Sequence, residues 1–532
     1  MEFYSLAFVL FLAVFWLLSR LVPAKTRWCV LLAASLLFYL CLGGTNLLFL
    51  LTTAATVWGA GLAMEAAGRA CKARLNALQE GAAEKQALRA ARKAARQTLQ
   101  RRKRLALLAG LLINFGILGY LKYWNVLWGA GGLLLPLGIS FYTFQSISYL
   151  IDVYNEKYAA EKNFLHFLLF VSWFPQLLEG PIGRYDRLRP QFFEQNGRIT
   201  ADRAGRAALR ILFGLMKKYA VADLLSGGIA SIFDGGVSGV EGLPGSVIIF
   251  GILLYSAQQY CDFSGGIDIV MGVSSLFGVE LTPNFRQPYF AVSLGDFWRR
   301  WHISLGAWMR DYVFYPLALL KPMQRFGKWA ARRFGRHAGR TLPACAANLV
   351  VFFIVGVWHG AELHYVLWGL YNGLVIALSD LLAPTFARAA QALRLRTDTK
   401  AFHLFRILRT FIIVNIGWYF DRIVGLPETL ICLRNSFTRF EADRFAWGIG
   451  NTIFAQTGTT RAYTLGGMAI AGAALLVVLA DSVLRERGRD VYALLQSRAP
   501  VLRWAVCYAM LFLLLGSFML VGNAGGFLYA NF

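Results

Sequence analysis

Apolar windows of about 17 to 25 residues recur along the whole chain, the length a helix needs to cross a hydrocarbon core, and short stretches rich in Lys and Arg separate them. Backbone groups in lipid must be satisfied within their own segment. The alternating ten-residue pattern of a barrel is missing, so the spans are helical and the fold class is all-α polytopic membrane protein. Residues 2–18 read as a retained first span, because the start is acidic and no small-residue cleavage site precedes Arg20. Arg20, Lys25 and Arg27 then mark a cytoplasmic turn, which puts the N-terminus outside. Residues 31–42 and 46–64 form a hairpin broken at Gly43 and Gly44, and residues 105–128 and 133–151 span outward and back.

Between these pairs, residues 65–104 hold 12 basic and 3 acidic residues in an Ala-rich run of helix formers. The plainer reading is a solvated helical arm near anionic headgroups, and the alternative is a dock for a cytoplasmic acyl carrier. Residues 164–180 contain Pro175, Gln176, Glu179 and Gly180 and are followed by a basic loop. A full crossing would place that loop outside, so a re-entrant or broken segment is expected. Residues 246–261 and 267–277 read as two segments separated by Asp262, Ser264 and the Gly265-Gly266 pair. From the basic stretch 321–340 onward the counting is self-consistent: out over 345–358, back over 365–382, out over 411–424, in over 463–484. Residues 504–521 leave the C-terminus outside. No internal repeat is visible.

At 57% hydrophobic residues the chain is too apolar for several soluble domains. The formal charge of +25 sits between spans, where the positive-inside rule and anionic lipid account for it, so no nucleic-acid partner is expected. The seven cysteines show no CxxC spacing, and the histidines show no HExxH spacing or carboxylate set, so neither a disulfide framework nor a metal site is expected. No GxSxG elbow is present.

The chemistry gathers in residues 281–362. One cluster runs over 293–305 with Asp296, Trp298, Arg299, Arg300, Trp301 and His302, and the other over 355–362 with Trp358, His359 and Gly360. Each sets a His directly after a Trp. Desolvation disfavours the charged imidazole, leaving a proton acceptor near neutral pH, and ionisable groups at membrane depth are functional candidates. On a helix, His302 shares a face with Trp298 and Arg299, and Asp296 reaches Arg299 or Arg300. Gly360 would let a substrate approach His359. Taken singly, interfacial anchoring explains the first cluster and a structural hydrogen bond the second.

Taken together, Asn284-Phe285-Arg286-Gln287-Pro288-Tyr289, Asp296 to His302, Arg310-Asp311-Tyr312 and Val357 to Gly360 resemble the membrane-bound O-acyltransferase (MBOAT) family. Leu135 to Gln145, Phe174-Pro175-Gln176, Gly180-Pro181-Ile182 and Asp262-Phe263-Ser264-Gly265 extend the resemblance over nearly the whole chain. Within the family the chain is similar to the bacterial branch that includes the alginate O-acetyltransferase membrane subunit, the membrane subunit for peptidoglycan O-acetylation and the D-alanyl transfer protein of teichoic acids. It departs from relatives at Glu179 and in the length of the 65–104 arm.

The resemblance implies a single membrane domain over 1–532, with the arm inserted, of about eleven transmembrane helices plus re-entrant segments around a tunnel. The family's invariant histidine maps onto His359 and its usual partner onto His302. The other residues expected along the substrate path are Gln145, Asp262, Ser264, Asn284, Arg286, Asp296, Trp298, Arg299, Arg300, Trp301, Trp358 and Gly360. No cofactor is expected to be bound permanently; acetyl-CoA or an acyl carrier protein thioester is the donor. The expected setting is the bacterial plasma membrane, with an extracytoplasmic polysaccharide as acceptor and an SGNH-like acyltransferase as outer-face partner. In mechanism, His359 takes the proton of the acceptor hydroxyl, and His302 or an indole N–H of Trp298 or Trp301 meets the oxyanion. D-Alanyl transfer to teichoic acid is the alternative. A transporter or lipid flippase is the alternative of another class, disfavoured by the missing repeat.

Overall fold

The computed structural model describes residues 5–80, 85–128, 135–194, 199–444 and 461–520. Among them the regular structure is helical throughout, with no strand. The expected spans that reach residues 2–4, 133–134 and 521 run partly outside the described residues. By contacts the chain divides into two units, Met1–Thr200 with Ser274–Leu281 and Ala201–Val273 with Thr282–Phe532.

The first unit carries α1 (Leu6–Leu21), α2 (Arg27–Leu40), α3 (Gly44–Glu80), α4 (Lys85–Trp128), α5 (Ile139–Tyr154), α6 (Phe164–Ser172), α7 (Phe174–Glu179) and α8 (Tyr185–Phe193). Ser5 starts α1 by accepting the Phe8 N–H at 3.1 Å. The arm is not a separate element: α3 and α4 each run unbroken from an apolar span into the basic segment. Their seam is closed by small buried residues, Ala67, Cys71 and Ala95, with the Cys71 thiol 3.6 Å from the Ala95 carbonyl. Near its root, Asn114 donates to Thr56 at 3.1 Å and buried Lys103 pairs with Glu156 at 2.5 Å. The expected break in 164–180 falls at Trp173, between α6 and α7. The protein satisfies the open backbone there, since the Phe174 N–H donates to Ser35 Oγ at 3.2 Å. Gly138 opens α5 at φ 76°, and a Cβ there would lie 2.0 Å from the Leu177 carbonyl oxygen, so this position requires glycine.

The second unit begins with α9 (Ala201–Leu215), a π-helical stretch over Met216–Asp223, α10 (Leu224–Phe233), α11 (Gly236–Glu241) and α12 (Gly245–Leu276). Contrary to the expected interruption, α12 continues straight through Asp262, Ser264 and the two glycines. The polar side chains there find partners on the π-helical stretch. Gly265 lets the two backbones close up, for a Cβ on it would sit 2.9 Å from the Gly214 carbonyl oxygen. There follow α13 (Leu294–Arg300), α14 (Ile303–Met309), α15 (Tyr315–Ala318), α16 (Lys321–His359), α17 (Leu363–Leu381), α18 (Ala383–Ala392), α19 (Lys400–Arg422), α20 (Leu426–Thr438) and helices over Arg461–Glu486, Val491–Gln496 and Pro500–Phe518. Gly335, at φ 87°, kinks α16 within its basic part, ahead of Arg336 and Arg340.

Six helices of the described residues are long and apolar enough to cross a membrane, or seven if α17 and α18, bent by 56°, form one broken span. The expected figure of about eleven also takes in apolar helices below that length, such as the 16-residue α1.

Candidate functional site

The local geometry around His302 follows from Asn284. Ser293 caps α13 by accepting the Asp296 N–H at 3.1 Å, and α13 ends at Arg300. Trp301 is extended, and His302 takes the left-handed conformation, φ 47° and ψ 52°, before α14 begins. His302 is therefore not on the helical face of Trp298 and Arg299 that its spacing predicted, because the helix stops two residues before it. Two backbone hydrogen bonds hold the turn: the Arg286 N–H donates to the Arg300 carbonyl at 2.9 Å, and the Ile303 N–H to the Asn284 carbonyl at 3.0 Å.

The Asn284 side chain completes the arrangement. Its Oδ1 accepts from the Ser304 backbone N–H and the Ser304 hydroxyl, both at 2.9 Å, and faces His302 Nδ1 at 3.3 Å. A backbone N–H only donates, so the Asn284 atom it meets is the oxygen. Nδ1, facing the same oxygen, carries the proton, and the lone pair of the neutral imidazole lies on Nε2. His302 thus presents an acceptor.

Aromatic rings wall this turn on several sides. Trp301 is buried among Phe297, Phe285 and Trp418, with ring centroids 5.4, 5.0 and 5.6 Å away. Phe263 meets the His302 ring edge-on at 4.8 Å. Trp358 stands 6.1 Å from the His302 ring and 4.9 Å from that of His359, so the two imidazoles lie within about 11 Å of each other around one indole. His359, buried at the end of α16, meets Trp368 edge-on at 4.8 Å and stacks with Tyr365 at 6.0 Å. Trp298 joins the same wall. It packs on Trp368 at 5.5 Å, and its indole N–H donates to Asn372 Oδ1 at 3.0 Å.

Two expectations change here. A Cβ on Gly360 would lie 2.4 Å from the Tyr365 ring and 2.5 Å from Glu362, so the room left by this glycine is filled by protein. The Trp298 N–H is committed to Asn372 and neutral His302 offers a lone pair, so in this arrangement neither donates a hydrogen bond to an oxyanion.

The charged candidates sort differently. Asp296 binds Arg300 at 3.1 Å, and Arg300 also reaches Glu486 at 2.8 Å, which ties α13 to the Arg461–Glu486 helix. Arg299 sits 3.4 Å from Asp296 with 70% of its side chain exposed, and Arg286 is exposed. Asp262 and Ser264 belong to a buried network unforeseen in the sequence. Lys218 bridges Asp262 at 2.6 Å and Asp223 at 2.7 Å; Lys217 binds Asp268 at 2.5 Å and Ser264 at 2.9 Å; Arg210 binds Asp268 at 2.8 Å. Gln145 lies in the first unit, buried, where it donates to the Phe170 carbonyl and accepts from the Gly183 N–H at 3.3 Å. Among the described residues, no group of three or more His, Cys, Asp or Glu is placed to hold a metal.

Sequence reasoning also passed over Tyr365, Trp368 and Asn372. Their spacing of three and four residues along α17 was the available signal, since it puts all three on one helical face.

A helical protein that crosses the membrane several times and carries two Trp-flanked imidazoles in one buried aromatic cluster is the class that these features define. Its residues 159–414 match the sequence profile of MBOAT, membrane-bound O-acyltransferase family, and form a domain of that family. The chain is 34% identical over 338 residues to a probable alginate O-acetylase AlgI of Pseudomonas syringae pv. tomato, covering 60% of this chain and 58% of that one. It is 32% identical over 373 residues to a peptidoglycan O-acetyltransferase of Helicobacter pylori, covering 62% and 64%. It is 26% identical over 258 residues to a teichoic acid D-alanyltransferase of Streptococcus thermophilus, covering 47% and 58%. The chain thus spans roughly three fifths of the length of these relatives.

Proposed function

We propose that the protein is a membrane O-acyltransferase that moves an acyl group, acetyl in this reading, from a thioester on the cytoplasmic side to a hydroxyl of an extracytoplasmic polysaccharide. The observation that carries this reading is the pairing of His302 and His359 around Trp358 within an MBOAT domain. The similarity to proteins named as alginate and peptidoglycan O-acetylating enzymes supports acetyl as the group and an envelope polymer as the acceptor. The more distant similarity to teichoic acid D-alanyltransferases supports D-alanyl as the second reading.

In the reaction, the acceptor oxygen attacks the thioester carbonyl while its proton passes to an imidazole nitrogen of His359. The new C–O bond forms, the C–S bond breaks, and the sulfur leaves with a proton as the thiol. A positioned base of this kind contributes about 10²- to 10⁴-fold. The aromatic wall excludes water, so that the thioester is not hydrolysed instead. His302, its tautomer held by Asn284, offers a second acceptor that orders the hydroxyl or relays its proton. The donor is a substrate, acetyl-CoA or a carrier-borne thioester. The placement of Lys and Arg supports a bacterial plasma membrane orientation with both termini outside. An SGNH-like outer-face acyltransferase is the partner that completes delivery.

Purified protein supplied with labelled acetyl-CoA and acceptor polymer tests the reading. Wild type should consume the thioester and, once the outer-face partner is added, pass label to the polymer, and His359→Ala should do neither. Thioester left intact by the wild type would favour a transporter, and a preference for D-alanyl thioester would favour the second reading.

A further inference from the structure

Around one cavity of the first unit the chain makes two unusual side-chain choices. The cavity, of about 360 Å³, lies between α3, the root of α4 and the turn that follows α5, and Glu65, Gly68, Arg69, Lys72, Lys103 and Glu156 line it. Gly68 stands in the interior of α3, where glycine weakens a helix. Among the described residues a Cβ there would meet no atom within 4 Å, so packing does not ask for the glycine, and its missing side chain leaves the cavity open. Glu156 is the reverse case. The Glu156 N–H donates to the Val153 carbonyl at 3.1 Å and the Lys157 N–H to the Asp152 carbonyl at 3.0 Å, the pair of bonds that closes a helix through a left-handed residue, usually glycine. Glutamate holds that place at φ 60°, and its carboxylate meets the Lys103 ammonium at 2.5 Å.

Charge and depth decide what fits. Glu65 pairs with Arg69 at 3.2 Å and Glu156 with Lys103, while Lys72, exposed, forms no ion pair among the described residues. Three cations against two carboxylates leave one positive charge, which a single monoanion would balance. Lys103 is buried, so dissolved salt screens its charge little. The apolar runs of the three helices end at Met64, Leu105 and Ile151. At 1.5 Å per residue, Glu65 and Lys103 lie within about 3 Å of those ends and Arg69 at about 8 Å. A headgroup layer is roughly 5 to 8 Å thick, so the cavity is level with the headgroups themselves. Its volume is at the small end of the roughly 300 to 1,000 Å³ of ligand pockets, which suits a headgroup whose acyl chains stay outside.

We infer that this cavity binds the phosphodiester headgroup of one monoanionic phospholipid, of the phosphatidylglycerol class, from the leaflet on the Lys- and Arg-rich side. Lys72 and Lys103 attract the phosphate, Glu156 holds Lys103 in position, and the space left at Gly68 takes the headgroup. This is a single bounded site, unlike the diffuse attraction of an exposed basic arm to a charged surface, and it does not depend on the acyl-transfer reading. A lipid that binds only the folded protein stabilises it in step with its occupancy.

The test uses the full chain, delipidated in detergent, with dioleoyl phosphatidylglycerol as the probe, read by native mass spectrometry and by melting temperature. Wild type should retain one phosphatidylglycerol under conditions that strip phosphatidylcholine, and that lipid should raise its melting temperature. Lys72→Glu should weaken retention at least about tenfold. Gly68→Leu, which puts a side chain into the cavity, should abolish both the retention and the shift, while the lipid-free variant melts no lower than wild type. Should Gly68→Leu fail to give a monodisperse protein, Lys72→Glu, at an exposed position, carries the comparison alone. Undiminished retention in either variant overturns the site. Equal retention of phosphatidylglycerol and phosphatidylcholine overturns the recognition of charge and the inference with it. Soluble glycerol phosphate that stabilises wild type as much as phosphatidylglycerol does overturns the lipid as occupant, since a free phosphate ester then fills the cavity.

Discussion

Two buried polar assemblies in the second unit solve the same problem in opposite ways. Around the π-helical stretch, Arg210, Lys217 and Lys218 face Asp223, Asp262 and Asp268, three cations against three carboxylates. Around Asn284 the members are an amide, a hydroxyl, backbone N–H groups and an imidazole, with no formal charge in the neutral state. A charge taken out of water is costly unless paired, and once paired it is committed to its partner. A neutral imidazole that donates from one nitrogen carries a lone pair on the other. In the proposed function the charged assembly serves architecture and the neutral one reaction, although the adjacent residues Asp262 and Phe263 belong one to each.

The sharpest way to break that contrast is at the second imidazole. His359→Ala should lower acyl transfer by about 10²- to 10⁴-fold while protein yield and thermal stability in detergent stay near wild type; a stability loss matching the activity loss would make His359 architectural. Lys218→Met should do the reverse. Stranding Asp262 and Asp223 should cost about 3–5 kcal/mol, read as a lower inactivation temperature in fluorescence-detected gel filtration. Adding Asp262→Asn should restore part of the loss.

Asn284→Ala removes the acceptor of three donors, so a destabilisation of about 1–3 kcal/mol should accompany a fall in turnover that Asn284→Asp, which keeps the acceptor, partly rescues. Arg299→Ala should change stability by less than about 1 kcal/mol, as expected of an exposed pair, and turnover not at all. A large effect there would mean that Arg299 meets substrate.

The helical class, the broken segment at Trp173 and the two Trp-His pairs were legible because each rests on local pattern: apolar length, a Pro-Gln-Glu-Gly interruption, adjacent residues. The His302 turn was not. Spacing of three and four suggested a helical face with Trp298, and only the hydrogen bonds from residues 284 and 286, some sixteen positions earlier, dictate that the helix stops at Arg300. Lys217 and Lys218 stood in plain view, yet successive residues on a regular helix point about 100° apart. Burying both needed the wider π winding and carboxylates on α12. Gly360 was read for the space it leaves, and that space belongs to Tyr365.

That last detail constrains who may approach the imidazole. With Tyr365 parallel to one side of its ring and the edges of Trp358 and Trp368 against it, His359 sits in a slot rather than on an open wall. In the proposed reaction an incoming alcohol would arrive along the rim of that slot. Enlarging residue 360 would not simply narrow a doorway; it would lever the tyrosine out and turn the ring away from its guest.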